Sequence, residues 1–222
     1  MKTFKLFLFF AVAICLFLHL SSCKKDGDQI EEDPQEETLD ITKYYIVGKL
    51  NSSGTKLPFI YTFDPNAKAN SITVGFNTQS SYTFRDGILR MDYGGSAVNT
   101  FKITNGQIES FTGVDPIEGY KLLKLPETNQ FTGQTFSGGW ITPGSNLQFI
   151  AKFKFTGSQY GEASIGDPKI DEDYTLIKNV AATSNTGPNG ILTFFVVNDG
   201  KLEAARQNGS NTVSYGTFAK VN

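Results

Sequence analysis

From residue 41 onward, short runs rich in Val, Ile, Thr, Tyr and Phe alternate with clusters of Gly, Asn and Asp. That texture belongs to strands separated by tight turns, because β-branched and aromatic side chains suit a pleated, half-buried surface. The segment 149–155 has Phe149, Ala151, Phe153 and Phe155 on one parity, with Lys152 and Lys154 on the other. A period of two predicts one face on a core and one in water. Asp86-Gly87, Asn105-Gly106 and Asp199-Gly200 stand between apolar runs. Type I′ hairpins need positive φ at both central residues, which Asn or Asp followed by Gly supplies at little cost. Strands are predicted at 44–50, 57–63, 71–76, 88–93, 98–104, 120–125, 147–155, 174–177, 191–197, 201–205 and 212–221. The fold class is therefore all-β and antiparallel, with hairpins as the building block.

The chain also repeats itself. Leu57-Pro58-Phe59-Ile60-Tyr61-Thr62-Phe63 aligns with Leu147-Gln148-Phe149-Ile150-Ala151-Lys152-Phe153, and Tyr82-Thr83-Phe84 with Tyr174-Thr175-Leu176. Phe101 to Glu109 aligns with Phe195 to Glu203. The offsets of 90, 92 and 94 residues drift slowly and keep order, as a duplication would. The expectation is an antiparallel meander or barrel built from two pseudo-repeats of about ninety residues, at 41–126 and 131–222. Two arrangements follow: the halves close together into one barrel, or they form two tandem small β domains. The link 126–130 is short, which favours one compact body.

The first residues address the chain elsewhere. Lys2 and Lys5 precede an apolar run from Leu6 to Leu20 broken only by His19, the layout of a secretory signal peptide. As a helix the run would span about 22 Å, short of the roughly 30 Å hydrocarbon core. Leu20-Ser21-Ser22-Cys23 resembles the bacterial lipobox, with Ser22 where Gly or Ala is commoner. That resemblance implies a signal peptide at 1–22, lipid on Cys23 and a membrane as partner through that lipid. Two or more acyl chains make such anchoring stable. Residues 23–40 carry two lysines against eight acids, a net of −6, and read as an acidic flexible tether. Residues 41–222 carry a net of +2. The acidic stretch after the cysteine is similar to the surface-export signal of Bacteroidota-type lipoproteins, which implies an outer-membrane, cell-surface location.

A second resemblance covers residues 131–222. Gly138-Gly139-Trp140 supplies the loose Gly-x-Trp of calycins, the lipocalin superfamily, where it lies on the first barrel strand. Tyr174-Thr175-Leu176 and Asp199-Gly200-Lys201-Leu202 look like strands of bacterial lipocalin-like domains. The first half has Gly48-Lys49-Leu50 at the corresponding place, without the tryptophan. The resemblance implies a barrel, with Trp140 either plugging one end or stacking on a ligand. Tyr93 and Tyr160, each beside glycines in loop-like stretches, are the other candidate ligand contacts.

The chemistry that is missing is also informative. Cleavage before Cys23 would remove His19 and Cys15, and Cys23 would carry lipid, leaving a mature chain without histidine or free thiol. A Ser-His-Asp triad, a Cys-His dyad and a His-bearing zinc site then have no residues to draw on. No phosphate-binding glycine motif occurs, so no cofactor is expected, and no basic run points to nucleic acid. Glu109 and Glu203, repeat-equivalent, are expected as solvent-facing strand carboxylates. The acids of 167–173 are expected as a solvated loop rather than a metal site. The reading is a non-enzymatic surface lipoprotein binding a small hydrophobic molecule or glycan, with no protein partner named. Its alternatives are a structural or interaction module of an outer-membrane complex and, remotely, a glycoside hydrolase using paired carboxylates.

Overall fold

The turn chemistry sets the architecture. Asp86, Asn105 and Asp199 have φ of 50°, 51° and 50°, and the glycine after each is also positive. All three pairs thus make the hairpin turns that their composition predicts. The computed structural model describes residues 39–222 apart from 53, 146–147, 187–189, 210–211 and 222. The leader, Cys23 and most of the tether lie outside the described residues. Leu39–Asn222 forms one compact unit.

The first half holds eight strands: β1 (Tyr44–Ser52), β2 (Thr55–Asp64), β3 (Lys68–Thr73), β4 (Phe76–Arg85), β5 (Ile88–Asp92), β6 (Val98–Thr104), β7 (Gln107–Gly113) and β8 (Ile117–Lys124). Each pairs with the next up to β7, and β8 pairs back onto β1. The remaining seam, between β7 and β8, is bridged by the rings of Phe111 and Tyr120, 5.7 Å apart. The second half holds β9 (Thr135–Ile141), β10 (Gln148–Phe155), β11 (Gln159–Ala163), β12 (Glu172–Asp173), β13 (Thr175–Ile177), β14 (Ala181–Thr186), β15 (Ile191–Asn198), β16 (Lys201–Gln207) and β17 (Val213–Lys220). Here β17 pairs back onto β9, and the ends of the sheet are β12 and β13. Only Tyr174 separates those two, so one bent strand closes the ring.

Each half is therefore its own nearly closed eight-step barrel, not half of a shared one. The order of steps is the same in both. The repeated segments fall on matching steps: the second strand (β2, β10), the fourth (β4, β12–β13), and the sixth and seventh (β6–β7, β15–β16).

Three apolar cores result. One fills the first barrel around Phe59, Tyr61, Phe63 and Phe101. A second fills the other barrel, with nine aromatic rings among its thirteen buried members. The third lies between the barrels, where Tyr45, Val47, Ile60 and Ile72 meet Val180, Phe194, Val196 and Ala205. Strands at this junction are buried on both faces, which is why β2 and β15 read as continuous apolar runs rather than as alternation.

Several strands escape the sequence pattern. β4 and β7 are polar and largely exposed, β9 is rich in glycine, and β14 presents small residues to the neighbouring barrel. The expected strand at 71–76 is instead split by the turn at Val74-Gly75. Phe149 also departs from expectation. Ala151, Phe153 and Phe155 are buried, but Phe149 is 56% exposed because β10 runs past the barrel end there.

Glu203 corrects a second expectation. Lys102 and Glu109 form an exposed pair at 2.6 Å, as a solvent-facing carboxylate should. Glu203 instead points into the junction and pairs with Lys49 of the first barrel at 2.6 Å, with side-chain exposures of 11% and 25%. Both glutamates lie on the outward face of their strands, Glu109 beside Lys102 and Glu203 opposite Val196, but β15 and β16 pack against β2, so the outward face of β16 is the junction. Lys49→Met should cost about 2–3 kcal/mol in urea unfolding, less than the roughly 3–5 kcal/mol of a fully buried pair because Lys49 keeps solvent contact. Adding Glu203→Leu should restore most of that loss. A single variant as stable as wild type would show that Glu203 is solvated.

The phenols set an alkaline limit. Burial pushes Tyr45 up to about 12 and raises Tyr61, Tyr82, Tyr93, Tyr160 and Tyr174. Groups raised in the folded state stabilise fully below the unfolded value near 10, and that stability is lost as pH rises beyond it. Cooperative unfolding above about pH 10 is expected, with tyrosinate absorbance rising together with loss of circular dichroism. Ionisation of these six tyrosines near pH 10 in a still-folded chain would contradict this.

Candidate functional site: the mouth of the first barrel

Up-and-down connectivity gathers the β1–β2, β3–β4, β5–β6 and β7–β8 turns at one end of the first barrel. Inside that end lies a cavity of about 510 Å³. Leu50, Leu57, Phe59, Val74, Phe76 and Val114 give it apolar walls, and Phe76 and Val114 at its rim are 52% and 56% exposed. Tyr61, Ser71, Thr73, Tyr93 and Asp115 supply its polar lining.

Strand periodicity places these groups. Tyr61 lies on the inward parity of β2, between Phe59 and Phe63, and opposite Ser71. Tyr93 continues the inward parity of Leu89 and Met91 just past β5. Asn99, fully buried on β6, sits opposite Gly113 on β7. A Cβ on Gly113 would stand 2.2 Å from Asn99 Oδ1, so glycine is what lets that side chain lean over the β7–β8 turn. There Asn99 Oδ1 accepts from the backbone N–H of Val114 (3.0 Å) and of Asp115 (3.4 Å). Its Nδ2 donates to Asp115 Oδ2 at 2.6 Å, and the Tyr61 hydroxyl donates to the same oxygen at 2.7 Å. The Asp115 carboxylate is thereby fixed at the cavity wall. The Tyr93 hydroxyl is buried near Ser71, Asn99 and Tyr61 but forms no hydrogen bond of good geometry with them. Burial, with the Asp115 charge beside it, holds this phenol protonated.

The second barrel shows what the same position looks like when filled. Trp140 occupies the place of Leu50 and is only 4% exposed. Its indole N–H donates to Glu162 Oε1 at 2.8 Å. The Arg206 guanidinium lies 4.5 Å from the ring centre and also pairs with Glu162. Strand pairing gives Arg206 the place that Gly113 holds in the first barrel, since Thr193 faces Arg206 as Asn99 faces Gly113. One mouth thus carries tryptophan and arginine, the other leucine and glycine.

Comparisons with known protein families, with curated proteins and with solved structures found no match.

Of the residues singled out from sequence, Tyr93 lines the cavity, whereas Trp140 and Tyr160 belong to the core of the second barrel. The Tyr160 ring stacks on Phe155 at 5.7 Å. Cys23 lies outside the described residues. Sequence reasoning missed Tyr61, Asn99 and Asp115 as site residues. The available signal was a difference between the repeats: in the register that sets Leu50 against Trp140, Tyr61 corresponds to Phe153, and Asn99 to Thr193. The acids of 167–173 are dispersed, Asp167 onto Lys152, Asp171 onto Lys169 and Asp173 onto Gln159. No metal-holding group occurs among the described residues, nor is any described helix long and apolar enough to cross a membrane.

Proposed function

We propose that this chain is a lipid-anchored surface lipoprotein whose first barrel captures a small apolar molecule, with the second barrel as its structural partner. The observation that carries this reading is the cavity of about 510 Å³, within the range of roughly 300–1,000 Å³ usual for ligand pockets. Its apolar walls favour a hydrophobic molecule over a glycan. The lining offers one carboxylate, Asp115, where a glycosidase needs two. Membrane attachment rests on the lipobox-like Leu20-Ser21-Ser22-Cys23.

A thermal-shift screen of small apolar compounds on the chain lacking its first 23 residues tests the reading. A true ligand at a hundred times its Kd stabilises by about 2.7 kcal/mol, or about 5–10 °C for a body of this size. No shift from any apolar compound would count against it. The interaction-module reading draws on a separate observation. Ile141, Phe149 and Ile150, around the β9–β10 turn, are 40%, 56% and 67% exposed. Loss of outer-membrane partners in a pull-down with Phe149→Lys and Ile150→Lys would favour that role.

A further inference from the structure

The walls of the first-barrel cavity are apolar, but its ionisable content is one-sided. The lining holds one carboxylate, two phenols and no lysine or arginine. Burial and the nearby Asp115 charge raise both Tyr61 and Tyr93, so the phenols stay neutral and Asp115 is the charge a guest would meet. That carboxylate is half-buried. Elsewhere in the body, three buried or half-buried carboxylates have a cation: Glu162 has Arg206, Glu203 has Lys49 and Asp64 has Lys178. Among the described residues none pairs with Asp115. The side-chain donors Tyr61 and Asn99 both reach Oδ2 of that carboxylate and not Oδ1. A charge in a poorly solvated wall repels a like charge and is stabilised by an opposite one far more than in water.

We propose that the first barrel takes apolar molecules bearing a protonated amine, with Asp115 as the counter-charge, and rejects their carboxylate counterparts such as fatty acids. The apolar tail lies between Leu50, Leu57, Phe59 and Val74. This inference rests on the pocket being a binding site, as proposed above.

Calorimetric titration of the chain lacking its first 23 residues with octylamine, octan-1-ol and octanoate at about pH 7.5 separates the two ideas, since the amine is then protonated and the acid ionised. The expected order is amine, then alcohol, then acid, with the amine favoured over the acid by about tenfold or more. Asp115→Asn should bring that ratio close to one while octan-1-ol still binds. Should this variant fail to fold, the wild-type order alone decides. Octanoate binding as well as octylamine, or a ratio unchanged in Asp115→Asn, would overturn the amine assignment and leave the apolar pocket standing. Binding of none of the three would overturn both.

Discussion

Trp140→Ala is expected to destabilise the protein by about 3–5 kcal/mol, the cost typical of deleting a buried tryptophan. The ring lies edge-on to Phe153 and Phe218, with centroids 5.9 and 5.3 Å away, so its removal leaves a void among aromatic neighbours that cannot collapse easily. It also removes the surface on which Arg206 rests and the donor that Glu162 accepts from. The Arg206–Glu162 pair would remain, but over a hole instead of an indole face. Against a total stability of about 5–15 kcal/mol, the loss is large. Urea unfolding reads it, and Trp140→Phe should retain much of the stability because the edge-to-face packing survives. A loss below about 1 kcal/mol for the alanine variant would mean that the indole is not the plug described.

The converse change should act on binding rather than on folding. Leu50→Trp places in the first barrel the residue that fills the second. The cavity has room for the larger ring, so stability should change by less than the roughly 1–3 kcal/mol typical of overpacking. Affinity for any apolar guest should fall by about a hundredfold or more, equivalent to about 2.7 kcal/mol. The indole would lack an arginine to cover it, since Gly113 stands where the second barrel has Arg206. Unchanged affinity would place the guest elsewhere. Together the two variants ask whether duplication produced one barrel that holds itself shut and one that is open.

The hairpins were legible because Asp-Gly and Asn-Gly carry a backbone requirement that few other residues meet. The duplication was legible because core phenylalanines recur at matched steps. The junction between the barrels was not, since strands buried on both faces lose the alternation that reveals orientation. Glu109 and Glu203 show the limit sharply. They align in sequence and share the outward face, yet β16 packs against the first barrel, so Glu203 enters the junction while Glu109 meets water. The candidate site was hidden for a different reason. Tyr61, Tyr93, Asn99 and Asp115 come from separate strands and turns, and only barrel closure brings them to one mouth. Trp140, which carries the calycin-like Gly-x-Trp, marks the closed barrel, and the open one lies ninety residues earlier.

The most direct test is a fluorescence titration of 1-aminoanthracene, an apolar fluorophore uncharged at neutral pH, into the wild-type, Leu50→Trp and Trp140→Phe chains. The account predicts one saturable site in the wild type, retained in Trp140→Phe and abolished in Leu50→Trp. Binding that survives Leu50→Trp and disappears in Trp140→Phe would contradict it.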